Sequence, residues 1–435
     1  MLYPRHIEPR LTEALEDSPV VLIHGPRQCG KTTLAQMVCA PMHLKQHGTD
    51  STQNQTNAPQ AIRASGYHYI DFDDSTVSKT AKKDPMGFVA ALPERVILDE
   101  VQHVPEIFSA LKIQVDRKRM PGRFVMTGSA NVLQIPKLSD SLAGRMRIIR
   151  LYPLSQCELE NRSSSRFLDA LFGGGFRVET TERLGRNLFE RIAAGGYPAA
   201  LALPSDLRQT AWYRDYLHQL QTDILDFSRI SMPNSLPQLL ESCAAQTAGL
   251  FNLSSLASSF QLSRPAIGGY VRLLEASFLI ERLLPWQSNH QSRLVKTPKL
   301  HIGDTGLACA LLGINAAGLE VDRPLLGQLL ETFVFHELRR QAVCRDDFMS
   351  FYHYRDRDRA EVDIVIERGT MEVAGVEVKA SGTVTMADFR GLRRLRDAVG
   401  SRRFKGGVVL YDGEVSVGFG EGFYAVPLRM LWEKS

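Results

Sequence analysis

Gly25-Pro-Arg-Gln-Cys-Gly-Lys-Thr32 sets the architecture expected of the first part of the chain. The apolar run Val20-Val21-Leu22-Ile23 precedes it, and Thr33-Leu34-Ala35-Gln36-Met37-Val38, with a helical pattern, follows it. Strand, glycine loop, Gly-Lys-Thr and helix in that order predict a P-loop. Gly25 and Gly30 have no Cβ, so the backbone is free to curl and turn its N–H groups toward phosphate oxygens. A helix that starts at Lys31 adds the positive end of its dipole. The candidate nucleotide contacts are therefore Gly25, Pro26, Arg27, Gln28, Cys29, Gly30, Lys31, Thr32 and Thr33. Lys31 is expected on the β- and γ-phosphates of ATP, and the Thr32 hydroxyl on Mg²⁺. Cys29, beside Lys31 and a helix start, is expected either to favour thiolate or to be a small unreactive residue chosen for fit.

Working outward, Val96-Ile97-Leu98-Asp99-Glu100 is a buried-type strand ending in two acids, a Walker B pattern. Asp99 is the second candidate for holding Mg²⁺, and Glu100 is the candidate general base for the attacking water. Phe124-Val-Met-Thr-Gly-Ser-Ala-Asn131 reads as a further strand with polar residues at its end. Ser129 is the first choice there for a γ-phosphate sensor and Asn131 the second; an ordinary strand-to-loop turn is the alternative. Ser141-Leu-Ala-Gly-Arg145-Met-Arg147 offers Arg145, and after it Arg147, as an arginine finger acting within the chain or across a homo-oligomer. Tyr67-His-Tyr-Ile-Asp-Phe-Asp-Asp74 predicts another strand, with Asp73 and Asp74 read as turn and helix cap. A short helix is expected over residues 7–15, and the polar run Gln46 to Gln60 reads as a solvated surface insertion.

The chain has 435 residues, too many for one ordinary core. Hydrophobic residues at 44% and charged residues at 23% fit a folded globular protein and exclude a disordered or fibrous class. A net charge of +4 permits a nucleic-acid partner without arguing for one. The six cysteines are scattered with no Cys-x-x-Cys pair, against a disulfide framework or zinc site and in keeping with a reducing, cytoplasmic setting. The first ten residues lack the apolar run of a signal peptide, and no stretch is long and apolar enough to span a bilayer, so direct membrane insertion is not expected.

Three domains are expected: an α/β P-loop domain over residues 1–155, a helical middle domain over 156–295, and an α/β tail over 296–435. In the middle, Arg208 to Phe227 repeats Trp212, Tyr216, Leu220 and Ile224 at helical spacing, a packing stripe. Leu253 to Ala257, a turn at Phe260 to Leu262, a helix from Arg264 capped by Ser263, and a strand at Phe278 to Leu284 together predict a winged helix-turn-helix. Its second helix offers only Arg264 and Arg272 as exposed cations, so protein packing is preferred over DNA reading. In the tail, Leu325 to Arg340 reads as an amphipathic helix carrying Glu331 and Glu337, followed by strands at 351–354, 361–366 and 373–379. Asp363 on one strand and Glu377-Val-Lys379 on the next match the pattern of PD-(D/E)xK nucleases. In that pattern Asp363 and Glu377 share Mg²⁺, Lys379 orients the attacking water or steadies the charged phosphate, and Glu331 supplies a further acid. A salt bridge between strands is the alternative.

Taken together, these stretches resemble a family of prokaryotic AAA-type ATPases with a C-terminal domain of unknown function. The resemblance rests on the P-loop, Leu98-Asp-Glu-Val-Gln102, Thr127-Gly-Ser129, Ser141-Leu-Ala-Gly-Arg145, Gly195-Gly-Tyr-Pro198, Asp304-Thr-Gly-Leu307, Leu330-Glu-Thr-Phe-Val334, Glu361-Val-Asp363 and Val376-Glu-Val-Lys379. It implies ATP binding, a winged-helix segment and a restriction-endonuclease-like tail. The expected function is an ATP-hydrolysing switch or motor, with DNA as a candidate partner through the winged helix or the tail. The rivals are an ATP-gated DNA nuclease and an ATP-dependent DNA- or protein-binding regulator with an inactive nuclease-like tail.

Overall fold

The computed structural model describes residues 2–39, 66–129, 142–227, 235–287 and 297–433. The polar run 46–60, Asn131 and Ser141 lie outside the described residues. The chain forms two compact units, Met1–Leu154 and Ser155–Ser435.

In the first unit five strands form one parallel sheet: β1 (Val20–His24), β2 (Tyr67–Asp71), β3 (Arg95–Asp99), β4 (Phe124–Gly128) and β5 (Met146–Arg150). Their order across the sheet is β2-β3-β4-β1-β5. All residues of β1 and β4 are buried, which is why both read as unbroken apolar runs rather than as alternation. Helix α1 (Glu8–Asp17) buries Leu11 and Ala14, close to the span expected for it. Helix α2 (Lys31–Val38) leaves the loop after β1, and helix α3 (Ile107–Arg117) buries Ile107, Phe108 and Leu111. Because β4 lies between β1 and β3, the carboxyl ends of these three strands bring the P-loop, Ser129 and the Asp99–Glu100 pair to one edge of the sheet. The acids after β2 do as expected of a turn and cap: Asp74 accepts hydrogen bonds from Thr76 N and Val77 N at the start of the helix Ser75–Lys83.

The second unit carries a mixed seven-stranded sheet. Its strands are β6 (Glu179–Thr180), β9 (Met349–Arg355), β10 (Glu361–Arg368), β11 (Glu372–Lys379), β12 (Phe404–Tyr411), β13 (Val415–Gly418) and β14 (Phe423–Pro427), with β7 (Ile280–Leu283) and β8 (Lys299–Ile302) forming a separate antiparallel ribbon. The order is β6-β13-β14-β12-β11-β10-β9. Helices α4 (Leu253–Ser259) and α5 (Arg264–Ala276) precede the ribbon, and Ser263 caps α5 by accepting from Ala266 N. The stretches expected as separate domains, 156–295 and 296–435, share one hydrophobic core that runs from Cys157 to Trp432.

Helix α6 (Thr305–Leu312) and helix α7 (Arg323–Val343) lie in that core. Seven consecutive residues of α7, Thr332 to Leu338, are buried, which covers every face of a helix rather than one stripe. The amphipathic reading of α7 is therefore corrected. Its polar residues are buried in pairs: Arg340 donates to Glu337 at 2.8 Å, and Glu337 accepts from Gln156 N at 3.0 Å. The glycine and aspartate motifs of this unit also meet in the interior. Buried Asp304 accepts from Gly196 N at 2.9 Å, Gly306 N at 2.9 Å and Tyr213 OH at 3.1 Å. Gly195, at φ +68°, has no room for a Cβ, which would lie 2.2 Å from Asp304 Oδ1.

Candidate active site

The P-loop is shaped by its two glycines. A Cβ on Gly25 would lie 2.1 Å from the Leu151 carbonyl oxygen, and Gly30 has φ +97°, a conformation that side chains resist. Arg5 ties the back of the loop down, donating to Cys29 O at 2.8 Å and to Tyr152 O at 2.6 Å. Lys31 is buried; its ammonium donates to Pro26 O at 2.9 Å and lies 3.9 Å from Glu100 Oε1. Arg27 is half-buried, while Gln28 and Thr33 are exposed on the loop and the first turn of α2.

Cys29 is fully buried, and burial pushes its thiol above the ordinary range despite the nearby Lys31 charge. The thiolate reading is thereby corrected: losing water disfavours the anion more than the cation favours it. His24, the last residue of β1, is also buried. Burial, helped by Arg150, lowers its pKa to about 4, so it is neutral near pH 7.

Asp99 sits in a cage of hydroxyls. Thr32 Oγ1 donates to its two carboxylate oxygens at 3.0 and 2.9 Å, Tyr69 OH donates to Oδ2 at 2.7 Å, and Thr127 Oγ1 donates to Oδ1. The register explains the cage. Tyr69 pairs with Ile97 across β2 and β3, and Leu98 with Met126 across β3 and β4, so the flanking strands bring one hydroxyl to each side of Asp99. Burial raises the Asp99 pKa, and the three hydroxyls oppose that rise.

Glu100 takes a left-handed conformation, φ +52°, at the end of β3 and donates its N–H to Thr127 Oγ1 at 3.0 Å. Gln102 then bridges two site residues: its amide donates to Glu100 Oε2 and, at 2.8 Å, to Ser129 Oγ. Burial works against the Glu100 carboxylate, but Lys31, Gln102 and Ser129 outweigh it and hold the pKa below the usual range. The result is an ionised carboxylate beside a buried lysine, as a water-activating base requires. Arg145 is engaged elsewhere, paired through Nε and Nη2 with Asp116 of α3 at 2.6 and 3.0 Å. Arg147 is exposed on β5.

The donor set suits Mg²⁺: a threonine hydroxyl and a carboxylate in contact, oxygen donors for a hard cation, at the end of the P-loop. Tyr69, Thr127, Gln102 and Arg5 escape a motif reading. Gln102 and Thr127 lie inside the matching stretches, but only the sheet order brings Thr127 to Asp99 and Gln102 to Ser129.

The tail residues are brought together differently. Lys299 of β8 is buried, and its ammonium donates to Glu331 Oε1 at 2.7 Å and to Asp363 Oδ1 at 3.1 Å. The other Asp363 oxygen accepts from Val378 N at 2.9 Å. Lys379 donates to Glu377 Oε1 at 3.0 Å. Burial and the Asp363 charge push the Glu377 carboxyl up to about 8. Among the described residues no cluster of three or more His, Cys, Asp and Glu is arranged to hold a metal ion. No described helix is long and apolar enough to cross a membrane.

Residues 17–160 match the family model described as "AAA domain". Residues 185–318 match "Domain of unknown function (DUF8612)", and residues 326–431 match "Domain of unknown function (DUF4143)". An uncharacterised protein of Mycobacterium tuberculosis is 27% identical over 97% of this chain and 83% of its own length. An uncharacterised protein of Haemophilus influenzae is 24% identical over 75% of this chain and 76% of its own. Among solved structures, a Walker-type ATPase of Pyrococcus abyssi aligns with TM-score 0.37 and 16% identity, covering 70% of this chain and 94% of that one. The stretch that matches the AAA domain model holds the glycine loop, Asp99 and Glu100 on a parallel sheet.

Proposed function

We propose that this protein binds Mg²⁺-ATP at the edge of the first unit's sheet and hydrolyses it, as a nucleotide-driven switch or motor. The observation that supports this is the contact between Thr32 of the P-loop and Asp99 of β3, 67 positions apart in sequence and 2.9 Å apart in space. Loop N–H groups and Lys31 bind the phosphates, and Lys31 exchanges Pro26 O for phosphate oxygen. Thr32 and Asp99 would hold a Mg²⁺, which would supply positive charge against that of the phosphates. Glu100 takes the proton of the attacking water, with Gln102 linking its carboxylate to Ser129 so that the two respond together. Arg145 has the part of a finger that Asp116 must release. The test is ATP binding and turnover in wild type and Lys31→Ala. Loss of both in the variant supports the reading, and wild-type turnover in Lys31→Ala rejects the P-loop assignment.

The pair α4–α5 with the ribbon β7–β8 supports a winged-helix reading of that segment. Arg264 and Arg272 are exposed on α5, whereas Arg282 on the ribbon is neutralised by Glu275 at 2.6 and 2.7 Å. So thin a supply of cations is poorly suited to a phosphate backbone. Packing on protein is the reading adopted, and DNA retention that falls steeply with added salt would reverse it.

A further inference from the structure

The nuclease-like pattern of the second unit requires a divalent cation between acidic side chains. The buried lysine that the pattern does not contain stands where that cation would go. Lys299 Nζ lies 2.7 Å from Glu331 Oε1 and 3.1 Å from Asp363 Oδ1, ordinary ammonium–carboxylate distances. A Mg²⁺ bridging the same two oxygens would need to be about 2.1 Å from each, in space the ammonium fills. The lysine is not free to move aside. It is 5% exposed, sits at the start of β8, and pairs in register with Leu283 of β7. Displacing it would leave a buried ammonium unpaired, which is costly.

The remaining oxygens give a cation little to hold. Asp363 Oδ2 already accepts from Val378 N at 2.9 Å. Glu377 Oε1 is taken by Lys379 at 3.0 Å, leaving Glu377 Oε2 as a buried acceptor with no hydrogen-bond partner among the described residues. Glu377 Oε2 and the second oxygen of Glu331, the carboxylate oxygens that Lys299, Lys379 and Val378 N leave over, fall well short of the roughly six oxygens a divalent cation takes.

We infer that Lys299 is a built-in cation: its ammonium replaces a divalent ion between Glu331 and Asp363, so that the second unit neither binds Mg²⁺ or Mn²⁺ nor cleaves nucleic acid with them. The site is an internal salt-bridged clamp joining β8, α7 and β10. This reading is independent of the ATPase reading, because it concerns the full chain without nucleotide.

The test is thermal melting of nucleotide-free full-length protein with and without millimolar Mn²⁺, alongside spin-resonance counting of bound Mn²⁺. Wild type and Lys299→Arg should show no Mn²⁺ effect that Asp363→Asn removes. Lys299→Met keeps the stem and removes the charge, uncovering two facing carboxylates. It should gain a bound Mn²⁺ and a rise of about 5 °C or more in melting temperature, and the double variant with Asp363→Asn should lose both. If Lys299→Met does not fold in plain buffer, millimolar Mn²⁺ should restore its folding. Wild-type protein that binds Mn²⁺ through Asp363 overturns the inference. So does a folded Lys299→Met that ignores Mn²⁺, or an unfolded one that Mn²⁺ does not rescue.

Discussion

Tyr69→Phe is the sharpest perturbation of the proposed metal site, because it deletes one oxygen and nothing else. The Tyr69 hydroxyl donates to Asp99 Oδ2 at 2.7 Å, and Asp99 keeps Thr32 and Thr127 as partners when it is gone. A hydrogen bond to an ionised acceptor contributes about 1.5–3 kcal/mol. Tyr69 is half-buried, so water can partly replace it, and Thr127 still anchors the carboxylate. The low end applies, about 1.5 kcal/mol, or roughly tenfold in affinity. That agrees with the ~10–100-fold losses on removing groups that orient a metal ligand. The assay is ATP turnover at saturating ATP as free Mg²⁺ is varied. The half-saturating Mg²⁺ should rise about tenfold with kcat little changed. Burial already raises the Asp99 pKa, and losing a donor raises it further, so the defect should grow as pH falls. An unchanged Mg²⁺ dependence, or a lowered kcat with no Mg²⁺ shift, would refute the orienting role.

Three further outcomes are expected. Arg145→Ala should lower turnover by roughly 10³ or more while ATP still binds, and turnover by the wild type should rise with protein concentration if the finger acts between chains; normal turnover in the variant removes Arg145 from the site. Cys29 should resist iodoacetamide equally with and without ATP, since it is buried and its pKa is raised, and labelling that ATP prevents would show an accessible thiolate instead. The His24 pKa is lowered from 6.5 to about 4, so its contribution to stability is complete above pH 6.5 and is lost as pH falls toward 4. Relative to His24→Leu, the wild type should lose about 3 kcal/mol over that window in urea unfolding, and parallel pH profiles would contradict the buried neutral imidazole.

Much of the first unit was legible in the sequence because its chemistry is local. Gly25 to Thr32 encodes a loop through glycine stereochemistry, and Asp99-Glu100 follows a strand that is apolar on both faces. What the sequence could not supply was the order of strands. The insertion of β4 between β1 and β3 is what brings Thr127 to Asp99 and Ser129 to Gln102, and it depends on long-range pairing. Arg145 was legible as a candidate only, since its partner Asp116 lies on helix α3, 29 positions earlier. In the second unit, α7 misled because buried charged residues resemble a solvated face until their partners are known. Lys299 was missed for the same reason. Its two carboxylates come from residues 331 and 363, and nothing near position 299 marks it as their counter-ion.

In the proposed hydrolysis Glu100 activates water while other residues hold the ATP, a division of roles that separates chemistry from binding. It is tested most directly by measuring ATP binding and ATP turnover on the same preparation of Glu100→Gln. The substitution keeps size and hydrogen-bonding reach but removes the base. ATP should bind as in the wild type while turnover falls by at least ~10²-fold. Turnover at the wild-type rate, or loss of ATP binding in a folded variant, would remove Glu100 from the role of base.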